Sequence, residues 1–206
     1  MSKTKLSVTA WILIGLGGFI FMILLIFGLS MLRNFNKMAA GEVDIEAQWA
    51  QVENVYQRRA DLIPNLVNTV KGYAEHEQET LTEVINARAK ATSVNINPSN
   101  LNPASIQQFQ QAQAGLSSAL GKLMVVVERY PNLKANQNFL ELQAQLEGTE
   151  NRIAAERKRY NDVVRLYNRR IKTFPGRFYN RFFGFEEKGY FEAVEGADVA
   201  PTVYSD

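Results

Sequence analysis

The sequence predicts an all-α protein: an N-terminal transmembrane helix followed by a long-helix antiparallel bundle of three to four helices, coiled-coil-like in its packing. Three observations predict it. The stretch from Leu6 to Leu32 carries no charge and is bracketed by Lys5 and Arg33. From Ile45 onward, apolar residues recur at steps of three and four and nowhere alternate, which marks helix faces and not strands. Turn-forming residues gather at only a few places, of which SVNINPSNLNP at 93–103 is the clearest.

Residues 1–8 form a short tail and 9–32 the anchor. A helix needs about 20 apolar residues to cross about 30 Å of hydrocarbon, so this run spans a bilayer with some tilt. A cleaved signal peptide has an apolar region of only about 7–15 residues, so the segment is expected to remain as an anchor. Lys3, Lys5 and the α-amine outweigh Arg33 and Lys37 across it, which favours the soluble domain outside the cytoplasm. Gly15, Gly17, Gly18 and Gly28 form no GxxxG pair, so the anchor gives little sign of self-association.

The bundle is expected over 33–173. RNFNKMAAGE leaves the membrane and can stay helical. The first soluble helix is predicted over about 42–92, with Ile45, Trp49, Val52, Tyr56, Ile63, Leu66, Val70 and Tyr73 on its stripe, continued by Leu81, Val84 and Ala91. Pro64 removes a backbone donor and predicts a kink, with Gly72 a second soft point. At ~1.5 Å per residue this helix would be about 75 Å long and must bend or project. Asn102 and Pro103 then read as a cap and first position for a helix over 103–130. Its heptad runs Ile106, Phe109, Gln113, Leu116, Leu120, Leu123, Val127, Tyr130, with Gln113 the polar intruder that can set register. The last long helix, over 134–173, carries Phe139, Leu142, Leu146, Thr149, Ile153, Glu156, Tyr160, Val163, Tyr167 and Ile171. Its short link to the preceding helix makes the two antiparallel.

Residues 174–206 hold an aromatic and basic segment, then an acidic tail without a stripe, the composition of an unstructured end. Eight aromatic residues fall within 174–191, interleaved with Arg177, Arg181 and Lys188. Phe178, Phe182, Phe183 and Phe185 can pack onto the bundle end. They can equally enter a lipid interface with the basic residues toward headgroups, or dock a neighbour.

Chemistry is sparse. The chain has no cysteine, which removes thiol catalysis, disulfides and thiolate metal sites. His76, the one histidine, sits mid-helix in AEHEQE; His76 and Glu79 make neither HExxH nor the paired Glu-x-x-His of a di-iron bundle. No nucleophile elbow or phosphate-binding glycine loop is present. The expectation is a protein that is not an enzyme, with no cofactor and no metal. From Arg33 onward basic and acidic residues balance, which argues against a nucleic-acid partner. The balance is uneven: 152–181 holds ten Arg or Lys against Glu156 and Asp162, while 182–206 holds six acids against Lys188. The tail can therefore pair with the basic helix end of its own chain or of a neighbour.

Candidate structural and interaction residues are Arg58, Arg59, Asp61, Pro64, Glu156, Arg177, Phe178, Arg181, Phe182 and Phe183. Arg58, Arg59 and Asp61 beside Glu53 face Glu150, Arg152, Glu156 and Arg157 across the bundle, either as a solvated surface or with a buried pair. Arg59 and Glu156, both in apolar register, are the residues that a buried pair would use.

The run QWAQVENVYQRRADLIPNLV, then NTVKGYAEHE, VINARAKA, Tyr167-Asn168, Phe174-Pro175 and the closing FGF at 183–185 resembles the LemA family along essentially the whole chain. The resemblance implies a bacterial protein of the inner membrane, anchored once, helical, and without an established catalytic activity. Some such proteins are encoded beside a membrane zinc metalloprotease. The expected function is a membrane-anchored scaffold that self-associates and organises or shapes the membrane. The alternative is an adaptor for a membrane protein partner such as that protease. Expected partners are the lipid bilayer, further copies of the chain and that membrane protein.

Overall fold

The computed structural model describes residues 8–192. The tail at 1–7 and the acidic end at 193–206 lie outside the described residues, as does most of that end's expected pairing with 152–181. The fold is all-α, with no strand among the described residues. It comprises α1 (Val8–Lys71), α2 (Gln78–Ser93), α3 (Pro103–Val127), α4 (Pro131–Lys134), α5 (Gln137–Lys172) and α6 (Gly176–Phe183), with one 3-10 turn at Pro98–Asn100.

Span and bundle share one helix. α1 runs 64 residues without interruption, about 96 Å at ~1.5 Å per residue. Its N-terminal part is the one helix among the described residues long and apolar enough to cross a bilayer, and its large apolar side chains from Trp11 to Leu29 are exposed. Met38 is fully buried and begins the core face. α5 lies antiparallel to α1. Arg170 meets Lys37, Tyr167 meets Glu42, Glu156 meets Gln48 and Glu150 meets Arg59.

The helix expected over 42–92 is two helices. Gly72, a poor helix former, opens a turn over 72–77 in which Ala74 is buried and the amides of Tyr73 and Ala74 both reach the Val70 carbonyl. α2 then folds back along α1. The apolar stripe reads on through this break because both helices face the same core, so periodicity alone shows no boundary. His76, expected mid-helix, is exposed in this turn. The chain does run through Pro64 as helix, and Pro64 itself is exposed.

Asparagine side chains cap the next two long helices. Asn102 accepts from the Ser105 amide and Asn136 from that of Phe139, satisfying donors that a first turn leaves free. α3 packs antiparallel to α2, with Lys122 on Glu83 and Gln113 reaching Ala91.

Two cores result. The distal one, between α1, α2, α3 and the start of α5, is almost wholly aliphatic, including Ile63, Leu66, Val70, Leu81, Val84, Leu116, Leu123 and Leu146. The membrane-proximal one gathers Met38, Trp49, Tyr56, Phe109, Tyr160, Tyr167 and Phe191. Phe191 belongs to no helix. It is supplied by a non-helical strap, residues 184–192, that returns along the bundle after α6.

Candidate interaction site at the membrane-proximal end

The strap begins where α6 ends on Gly184, whose φ of 72° no β-carbon-bearing residue adopts without cost. From there side-chain amides hold it as a neighbouring strand would. Asn180 donates Nδ2 to the Phe185 carbonyl and accepts the Phe185 amide on Oδ1, both at 2.8 Å. Asn168 does the same for Lys188, at 2.8 and 3.0 Å, and Asn161 for Phe191, at 2.8 and 2.9 Å. Gln110 of α3 closes the series on Glu192, both bonds at 3.1 Å. The spacing is geometric. Asn161 and Asn168 are separated by about 10.5 Å of helix rise, which three residues of extended chain, 188 to 191, match at ~3.4 Å each.

Side chains then lock the strap. The Phe191 ring lies among Trp49, Phe109 and Tyr160, with centroids 5.3–6.3 Å away, and Arg157 sits 5.0 Å from its centre. Lys188 is buried and pairs with Glu42 at 2.8 Å, and Lys172 pairs with Glu187. The Gly189 amide donates to Leu101, and a β-carbon there would stand 2.7 Å from Pro103 Cα, so only glycine fits. Burial pushes the Tyr160 phenol well up from its ordinary pKa, and that of Tyr167 too, where the Glu42 carboxylate adds to the effect.

At the seam between the two cores lies Arg59, 1% exposed. Its Nη1 reaches Glu150 at 2.6 Å and Ser117 at 2.9 Å, and its Nη2 donates to Gln113 Oε1 at 2.6 Å. The expected Arg59–Glu156 pair is therefore corrected: the partner is Glu150, and Glu156 takes Gln48 and Arg159. The antiparallel register puts Glu156 opposite Gln48, three turns of α1 from Arg59. Arg58 is exposed, and exposed Asp61 accepts from Gln57.

Pro64 draws in a partner from another helix. Lacking an N–H, it leaves the Ala60 carbonyl without its helical donor, and Arg88 of α2 supplies Nε at 2.8 Å. Arg88 was not singled out by sequence; an orphaned carbonyl four residues before a helical proline is the signal that would have found it. The strap was missed as well. Its signal is the dipeptide Tyr-Asn, which recurs at 160–161, 167–168 and 179–180, and each of these asparagines holds the strap.

α6 presents different chemistry on different sides. Tyr179 and Phe183 face α1: the Tyr179 hydroxyl donates to Ser30 Oγ at 3.0 Å, and the Phe183 ring lies 5.1 Å from Phe35. Phe185 also packs on Phe35. Phe178 touches Phe27 at 6.3 Å yet stays 45% exposed, and Phe182 is 66% and Phe174 87% exposed. The expected packing thus holds for Phe183 and Phe185 and not for Phe182. Arg177 and Arg181 are exposed and have no side-chain partner among the described residues. No group of three or more metal-ligating side chains gathers among the described residues.

Comparison with known proteins adds a lineage. The LemA family model matches residues 48–204. The magnetosome protein MamQ 1 of Paramagnetospirillum magneticum is 25% identical over 187 residues, covering 82% of this chain and 68% of the relative. MamQ of Magnetospirillum gryphiswaldense is 24% identical over 199 residues, covering 86% and 72%. The protein LemA of Metamycoplasma hominis is 23% identical over 139 residues, covering 68% and 60%.

Proposed function

Because the chain belongs to the LemA family, we propose that it is a membrane-anchored helical scaffold that self-associates and organises the bilayer beside it. Membership and the span-length helix make it a membrane-associated helical protein. The observation that carries the rest is the continuity of α1 from span to core. A bundle joined to its anchor by a flexible linker cannot impose an angle on a membrane; one that shares a helix with it can. Many such anchors held side by side would fix the local shape of the bilayer. The basic stretch 152–181 and the acidic residues after it support a head-to-tail contact between copies, which closes into rings or grows into arrays. The names of the MamQ relatives tie them to a body, the magnetosome, and to no reaction, which favours a structural role. The count of Lys3, Lys5 and the α-amine against Arg33 and Lys37 favours the bundle outside the cytoplasm.

The test is the mass of the gently extracted complex, by light scattering and negative-stain microscopy. A large symmetric particle is expected. Protein that stays monomeric across concentration and salt sinks the proposal. A second reading, an adaptor for a membrane protein such as a metalloprotease, draws on the exposed rings of Phe174 and Phe182. It requires that Phe174→Ser with Phe182→Ser abolish capture of that protein while the bundle stays folded.

A further inference from the structure

We infer that α6 is an interfacial helix: its Phe178 and Phe182, with Phe174 just before it, enter the acyl region of the bilayer while Arg177 and Arg181 bind headgroup phosphates of anionic lipids. Phe178 and Phe182, four apart, share one stripe of α6, and Phe174, two residues before the helix begins, is exposed as well. The two arginines, also four apart, form the adjacent stripe. Tyr179 and Phe183 hold the remaining side against α1.

The depth of this helix is set by what it touches. Ser30 receives the Tyr179 hydroxyl, and Phe27 meets both Phe178 and Tyr179. Arg33 is the first charge after the apolar span, and Phe27 lies six residues before it, ~9 Å deeper at 1.5 Å per residue. Amphipathic helices at membrane surfaces bury their apolar face about 5–10 Å into the headgroup and acyl boundary. The Phe178 ring therefore sits where lipid must be if α1 spans the bilayer. Phe182 shares its stripe, and Phe182 and Phe174 are both largely exposed. Their exposure is exposure to lipid.

The arginines complete the match. Phosphate takes a guanidinium fork well, and neither Arg177 nor Arg181 is used inside the described structure. Each chain would then grip the bilayer twice, through α1 and through α6. This inference rests on α1 spanning the membrane and not on self-association, so particle mass and the experiment below fail independently.

The cysteine-free chain makes the test clean. Full-length Phe182→Cys is reconstituted into vesicles of phosphatidylcholine mixed with phosphatidylglycerol and treated with a water-soluble maleimide. Val125→Cys, at an α3 position 70% exposed on the same body, is the reference for orientation and access. The Phe182→Cys thiol is expected to react at least about tenfold more slowly, since the thiolate is the reactive form and apolar surroundings suppress it. Equal rates overturn the inference. Phe174→Cys, at a side chain 87% exposed, repeats the measurement with little disturbance of packing. Adding Arg177→Gln and Arg181→Gln should raise labelling severalfold in vesicles containing phosphatidylglycerol and leave it unchanged in phosphatidylcholine alone. Indifference to both changes removes the headgroup contact. Protection in native membranes that vanishes in the lipid vesicles would assign the face to a protein partner and overturn the inference too.

Discussion

The two cores are built by different rules. The distal core is a set of helical stripes that meet: Leu, Ile, Val and Ala interdigitate with Phe139, and all contributors but Ala74 and Leu133 sit on the faces of the longer helices. The proximal core sets a cluster of aromatic rings among its aliphatic side chains, and it is closed by a segment with no period at all, which reads the bundle through side-chain amides. An aliphatic stripe specifies its partner loosely, because many volume-conserving packings are tolerated. Paired hydrogen bonds at fixed spacing admit a single register. The half next to the membrane is thus the half whose geometry is pinned.

Alkaline pH should separate the halves most widely. Tyr160 and Tyr167 hold their protons more tightly folded than unfolded. Their stabilising contribution is complete below the unfolded phenol value of about 10 and is lost as pH rises from there through the folded values. Amide exchange in the C-terminal half of α5 should therefore accelerate above that pH before exchange in α2, because the distal core has no fully buried phenol. Simultaneous loss would show that the two cores are one cooperative unit.

Phe191→Ala comes next. It empties the aromatic cage and should cost about 3–5 kcal/mol, read by denaturant titration, with exchange faster around Trp49 and Tyr160 and little changed around Leu123. At the seam, Arg59→Ala should cost about 2–3 kcal/mol, below the usual range for a broken buried pair. Glu150 is 48% exposed and returns to water. Arg59→Met keeps the packing but leaves the buried Gln113 Oε1 without its donor, so by the same measurement it should still cost about 1–2 kcal/mol.

Asn168→Ala strips both bonds from the Lys188 backbone and should cost about 2 kcal/mol. The smallest effect tests the distal half. Arg88→Met orphans the Ala60 carbonyl at roughly 1–2 kcal/mol, and Pro64→Ala should erase most of that penalty by restoring the helical donor. Additive costs would mean that Arg88 does not serve Pro64.

The distal core was legible from sequence because its forces are periodic. Leu116, Leu120, Leu123 and Val127 of the heptad are all buried in it, Ile106 and Phe109 of the same heptad are buried in the proximal core, and Gln113, the polar intruder, is where Arg59 docks. Thr149, oddly placed on an apolar face, is buried and satisfied by the Gln145 carbonyl. Periodicity was blind to the turn at 72–77, since the same face continues on both sides. It was blind to the strap for a deeper reason: amides that bind backbone impose no period on the strap's side chains, and the positions that are constrained, such as Gly184, Phe185, Lys188, Gly189 and Phe191, fall at irregular spacing. The charge pair of Arg59 was legible as a need but not as a partner, because the antiparallel register of α1 and α5 decides which acid comes within reach.

The unbroken path of α1 from Phe27 to Glu42 converts chain length into angle. Each helical residue advances the chain by about 100° and ~1.5 Å. One residue inserted after Phe35 would swing the bundle by more than a quarter of a revolution about the span. Yet α6 grips Phe27, Ser30 and Phe35 on one side of the insertion while α5 grips Lys37 and Glu42 on the other. Seven residues would nearly restore the angle but raise the bundle by about 10 Å. Phase and height are therefore set together, and no change of length in this stretch preserves both.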